Sequence, residues 1–173
     1  MLRRLPAETA PPAVPATAAP QQITARADPA PSHALLDWLK QDAGREMPAP
    51  ALWCRFAAAA LRSTRQAEGD LVIELAPIAA APTRLCNPDR AGLASEAEAT
   101  DQAPDLILRD LSASAITGVA LGAAGPPTLS LLAEGEGLRI TLDFDAGRLE
   151  AATAIALVAG FADRLNDPLT QLL

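Results

Sequence analysis

The chain carries few residues that do chemistry. Its 173 residues include one histidine, His33, so it offers no pair of imidazoles and no cluster of Cys and His that could hold zinc. The only cysteines are Cys54 and Cys86, and with no secretory signal they read as free, reduced thiols rather than a disulfide framework. Aromatics make up 3% of the residues, so a core has to be built from Leu, Ile, Val and Ala within the 50% that is apolar. Lys and Arg do not cluster along the sequence and the net charge is -7, which argues against a nucleic-acid partner. No apolar run reaches membrane-spanning length, and Met1-Leu2-Arg3-Arg4-Leu5 leads into no apolar h-region. The expectation is a cytoplasmic protein without a membrane partner. Gly118, Gly122 and Gly125 have neither the lysine nor the spacing of a phosphate loop.

What is present is periodicity. Leu138, Ile140, Leu142 and Phe144 alternate with Arg139, Thr141 and Asp143, the period of a half-buried strand. The period then changes, and Ala154, Val158, Phe161 and Leu165 form one stripe of a helix over about 150 to 166. Upstream, Pro6, Pro11, Pro12, Pro15 and Pro20 make residues 1–20 a Pro/Ala-rich tail, because proline removes donors and disfavours helix in the residue before it. A short strand is expected over 22–28, closed by Pro29 and Pro31. Ser32 reads as the N-cap of a helix over about 33 to 43, with Gly44 past its end. A second helix over about 50 to 66 places Trp53, Phe56, Ala57, Ala60, Leu61 and Thr64 on one face. Strands follow at 71–75, 106–111 and 128–133, with a long loop over 79–103 holding at most one helical turn near 93–98. Glu134-Gly135-Glu136-Gly137 reads as a hairpin turn. The order implies one α/β domain over 21–173, a two-layer α+β sandwich with a mixed sheet and helices on one face.

The C-terminal third resembles the catalytic domain of the dihydrolipoamide acyltransferases of 2-oxoacid dehydrogenase complexes, which shares the chloramphenicol-acetyltransferase-like fold. In that family a strand reading L-S-F-D-H-R-V-x-D-G-A leads into a helix ending near L-x-D-P and a leucine-rich tail. Leu142-Asp143-Phe144-Asp145-Ala146-Gly147-Arg148-Leu149-Glu150-Ala151-Ala152 lies on it without a gap, and Leu165-Asn166-Asp167-Pro168 with the final leucines continues the likeness. Leu108-Arg109-Asp110-Leu111-Ser112 stands where the family has I-S-N-L-G, and Pro126 to Leu132 where it has P-P-Q-A-A-I-L. Phe56 to Arg62 is similar to its alanine-rich helix, and the domain is shortened between Leu75 and Leu106. No lipoyl-lysine domain or peripheral-subunit-binding segment is recognised ahead of it.

The resemblance implies acyl transfer between a lipoyl thiol and coenzyme A, with a histidine as general base, at a site between neighbouring subunits of a trimer. The place of that histidine is taken by Ala146, the following Arg by Gly147, the motif Asp by Glu150 and the motif Gly by Ala151. The candidate site residues are therefore the degenerate motif positions Asp145, Ala146 and Glu150, with no metal ligand and no cofactor assigned beyond the coenzyme A that the resemblance implies. Asp145 and Glu150 match a thiol of pKa about 8.5 poorly as bases, and read as turn residues in water or paired with Arg148. Cys54 reads as a packing residue, and Ser112, Ser114, Thr117 and Ser130 as hydroxyls without a base. Glu96, Glu98, Asp101 and Asp105 read as a solvated loop, and His33 as an exposed or capping residue. The first reading is a catalytically degenerate structural or assembly protein, forming a trimer-like homo-oligomer or joining other 2-oxoacid dehydrogenase subunits. An active acyltransferase using another base and an acyl- or CoA-binding module stand as alternatives. The end of peptide-synthetase condensation domains is similar too, and would also call for a histidine motif.

Overall fold

A computed structural model describes residues 20–93, 95–122 and 124–169. The Pro/Ala tail up to residue 19 and the final Leu172 and Leu173 lie outside the described residues. The elements run β1 (Pro20–Ala27), α1 (Ala30–Gln41), α2 (Ala49–Arg65), β2 (Val72–Leu75), β3 (Thr83–Cys86), β4 (Glu98–Ala99), β5 (Leu106–Asp110), β6 (Thr128–Glu134), β7 (Gly137–Asp145) and α3 (Ala151–Asn166). The strands make one mixed sheet in the order β1-β7-β6-β5-β2-β3-β4. The pairs β2 with β5 and β5 with β6 are parallel, and the rest are antiparallel. The architecture is the expected two-layer sandwich.

The alternation in β7 decides which face meets the helices. Leu138, Ile140, Leu142 and Phe144 sit opposite Ala27, Ala25, Ile23 and Gln21 of β1, and Leu129 and Leu131 of β6 extend the same face. Against it pack Leu52, Trp53, Phe56 and Leu61 of α2 and Ala154, Leu157, Val158, Phe161 and Leu165 of α3. With so few rings, alanine does the close packing. Ala57, Ala58 and Ala60 of α2 are all buried, and small side chains let two helix backbones approach.

Two sequence expectations need correction. The first concerns α1, which begins at Ala30 rather than at 33, so Ser32 is not its N-cap. Prolines in a first helical turn lack only donors that would be unpartnered there, so Pro29 and Pro31, which follow the end of β1 at Ala27, also open this helix. Ser32 is instead fully buried, and its hydroxyl donates to the Leu165 carbonyl of α3 at 2.8 Å. The second concerns the long loop, which contains β3 and β4. These strands are four and two residues long, too short to show a period, and side-chain clamps hold them in place. Arg62 of α2 reaches Asp89 at 2.6 Å and the Asn87 amide oxygen at 2.7 Å, and that oxygen also accepts from Leu71 N–H at 3.0 Å. Asp105, read as part of a solvated loop, accepts from Val72 N–H at 2.9 Å and so fixes the start of β2.

Candidate functional site

The turn between β7 and α3 is where the sequence places its candidate residues. Asp145 ends β7 opposite Pro20 of β1, and its main-chain carbonyl accepts from Arg148 and Leu149 N–H at 2.9 and 3.0 Å. Its carboxylate turns back to accept Gly147 N–H at 2.7 Å. A Cβ at residue 147 would lie 3.2 Å from that carboxylate oxygen, so glycine leaves the carboxylate room to close the turn. Asp145 is thus a turn residue, as expected, and its carboxylate caps its own turn rather than pairing with Arg148. Ala146 and Arg148 are exposed, and Glu150 sits exposed at the entrance to α3 with no capping hydrogen bond from its side chain. The three candidate positions thus fall within and just after one turn, and none of them carries an imidazole.

His33 lies on α1, away from this turn in the chain. Asp28, at the close of β1, donates its N–H to Asn166 at the end of α3, and Ser32 binds Leu165, so the start of α1 is tied to the C-terminal end of α3. The turn at Asp145 precedes the N-terminal end of the same helix, 16 residues long and therefore roughly 24 Å away. The His33 ring is 6.0 Å from that of Trp53, whose indole N–H donates to Asp110 at 3.1 Å. The remaining hydroxyls are dispersed in the same way. Ser112 donates to Asp110 at 2.5 Å and Ser114 to the Leu111 carbonyl at 2.7 Å, both closing local turns. Cys54 is wholly buried in α2, where burial pushes its thiol up to about 12. It is a packing residue.

The polar side of β7 is not the solvent face that its alternation predicts. Thr141 and Asp143 are 4% and 5% exposed, and Ser130, opposite Thr141 on β6, is fully buried. The segment 111–122 crosses this face, held by three side chains. Arg139 donates to the Thr117 carbonyl at 3.0 Å and Gln22 to the Val119 carbonyl at 3.2 Å, while Asp143 accepts Leu121 N–H at 3.4 Å. Beneath it the hydroxyls of Ser130 and Thr141 find no partner. A two-residue period cannot report a covering loop from elsewhere in the chain, which is why this layer was missed.

An apolar groove of about 550 Å³ opens on the helix side, lined by Pro31, Leu35, Trp38, Pro168 and Leu169. Trp38 is 52% exposed and Leu169 63%, unusual for a chain with so few rings. Among the described residues no group of three His, Cys, Asp or Glu could hold a metal, and no helix is long and apolar enough to cross a membrane.

No family model and no curated protein matches the chain. Solved structures do. The cubic core of the pyruvate dehydrogenase multienzyme complex superposes with a TM-score of 0.67 at 16% identity, covering 90% of this chain and 85% of that one. The dihydrolipoamide acetyltransferase of Azotobacter vinelandii gives 0.66 at 16% identity, with the same coverage of both chains. A chloramphenicol acetyltransferase gives 0.50 at 12% identity, covering 87% of this chain and 90% of that one. The chain therefore has the fold of the dihydrolipoamide acyltransferase catalytic cores, as its C-terminal motif implied.

Proposed function

We propose that this protein is a catalytically degenerate member of the acyltransferase fold whose work is assembly, in or derived from a 2-oxoacid dehydrogenase complex. The observation that carries the reading is the β7–α3 turn. In the Azotobacter enzyme a serine, a histidine and an asparagine are studied for their part in the catalytic mechanism, the last two four residues apart. Laid on that spacing, this chain has Ala146 and Glu150. An alanine has no lone pair with which to take a thiol proton. The neighbouring carboxylate of Asp145 accepts Gly147 N–H, and the one imidazole, His33, is on α1, whose start is tied to the far end of α3.

What the chain keeps is surface. The Trp38 groove ends at Leu169, from which Thr170-Gln171-Leu172-Leu173 continue, and an exposed apolar patch of this kind fits contact with a second copy. The likeness to the core of a multienzyme complex supports the same direction. Coenzyme A enters this reading only as a ligand that the inherited fold could hold without turnover.

The test is light-scattering mass on the purified chain together with an acyl-CoA:dihydrolipoamide transfer assay on the same fractions. A trimer or larger particle without transfer is the expected result. Transfer above the uncatalysed rate would overturn the loss of chemistry, and a monomer that also ignores purified 2-oxoacid dehydrogenase subunits would overturn the assembly role.

A further inference from the structure

Four of the chain's 14 Lys and Arg, scattered in sequence, meet around one small cleft. It measures about 250 Å³ and lies between α2, α3 and the loop 89–93, with Arg55, Arg90 and Arg164 in its lining beside Phe56 and Leu93. Arg62 stands behind it. The only carboxylate in the lining, Asp89, has both oxygens taken by Arg62, at 2.6 and 3.2 Å.

The three lining guanidiniums are held in place by neutral carbonyl and hydroxyl acceptors. Arg55 is 6% exposed, and its two terminal nitrogens donate to the carbonyls of Ala91, Gly92 and Ser95, which fixes the loop as the cleft wall. Carbonyls accept hydrogen bonds but do not cancel a full charge. Arg164 folds back along α3, donating to the Gly160 carbonyl at 2.7 Å and to Ser63 of α2 at 3.4 Å. A Cβ at residue 160 would sit 3.2 Å from that guanidinium, so glycine makes the space. The Arg164 Nε is buried and has no partner. Arg90 donates to the Glu68 carbonyl at 2.7 Å and is otherwise exposed.

Burial lowers the pKa of both Arg55 and Arg164, against the opposing pull of Cys54 on the first and of Asp163 and Asp89 on the second. Cys54 is a neutral thiol at physiological pH, so Arg55 has no anionic partner in the lining, and Arg164 feels Asp163 and Asp89 without a direct ion pair to either. A guanidinium presents several donors in one plane and suits an oxyanion with oxygens to spare.

We propose that the cleft between Arg55, Arg90 and Arg164 is a binding site for a phosphate dianion, either the free ion or the phosphate of a small monoester. Three guanidiniums around a cleft whose one lining carboxylate is held by Arg62 suit a doubly charged group better than a single carboxylate. The size points the same way, because sites for larger organic ligands occupy about 300–1,000 Å³. The donor left over is the Arg164 Nε.

The experiment is an NMR titration of the full chain at neutral pH and constant ionic strength, with inorganic phosphate in one arm and methyl phosphate in the other. The ratio of the two affinities distinguishes free ion from monoester. Expected are saturable shifts confined to residues 89–93 and to the Arg55 and Arg164 Nε–H signals, weakened about tenfold or more in Arg90→Gln and in Arg164→Gln. Arg90 is exposed, so its variant keeps the fold if that of Arg164 does not. Shifts that do not saturate, or an Arg90→Gln protein that binds as well as the parent, would overturn the site.

Discussion

The Asp145 carboxylate accepts the backbone N–H of Gly147 at 2.7 Å, two residues ahead in its own turn. That bond makes Asp145 a capping residue, with the same service an N-cap carboxylate gives a helix. Asp145→Ala is expected to lower stability by about 1 kcal/mol, read as a shift in urea midpoint, and to leave acyl transfer at the uncatalysed rate. A fall in transfer from a measurable parent value would return Asp145 to chemistry.

Ser32 joins α1 to α3 through its hydrogen bond to the Leu165 carbonyl, at zero exposure. Removing the hydroxyl strands a buried acceptor, so Ser32→Ala is expected to cost about 1–3 kcal/mol. Urea unfolding measures it, and hydrogen exchange at the end of α3 should rise more than in β7.

The two thiols should differ in reactivity. Burial raises the Cys54 pKa to about 12, and that of Cys86 is raised by desolvation first and then by Asp70 and Glu98. Only Cys86 has exposed surface. Labelling at about pH 8 with an aromatic disulfide reagent, followed by mass spectrometry, should modify Cys86 slowly and Cys54 only after unfolding.

Glu134 provides a pH signature. Its hydrogen bonds from Arg139, and then the charges of Arg139 and Arg26, hold its carboxyl below the ordinary 4.5. A depressed folded-state pKa contributes stability that is present above 4.5 and is lost as the pH falls through the lowered value. Glu134→Gln should therefore be less stable than the parent at about pH 6, with the difference shrinking as the pH falls below 4.5, as compared by unfolding midpoints. A constant difference across that window would remove the ion pair as the cause.

Trp38 tests the proposed assembly surface. Half of this ring is exposed in the groove that ends at Leu169. Trp38→Glu is expected to reduce the particle mass seen by light scattering while leaving the thermal transition of the subunit nearly unchanged, since exposed positions cost little to alter.

Much of this was legible from local periodicity. β7 and α3 could be read because each repeats its period over at least nine residues, and Ala154, Val158, Phe161 and Leu165 do face the core. β3 and β4 could not, because strands of four and two residues have no period and depend on Arg62, Asn87 and Asp105. Ser32 was misplaced because its true partner, Leu165, is 133 residues away.

The sequence by itself determined the fold and the alanine at position 146. Alternation and helical spacing are set by neighbours in the chain, and no folding can supply an imidazole where residue 146 is alanine. Only the tertiary structure decided that Asp143 and Thr141 are covered and that Arg55, Arg90 and Arg164 share one cleft. Burial and charge proximity depend on distance in space, and cations that look dispersed along the chain become a cluster once α2 and α3 pack together.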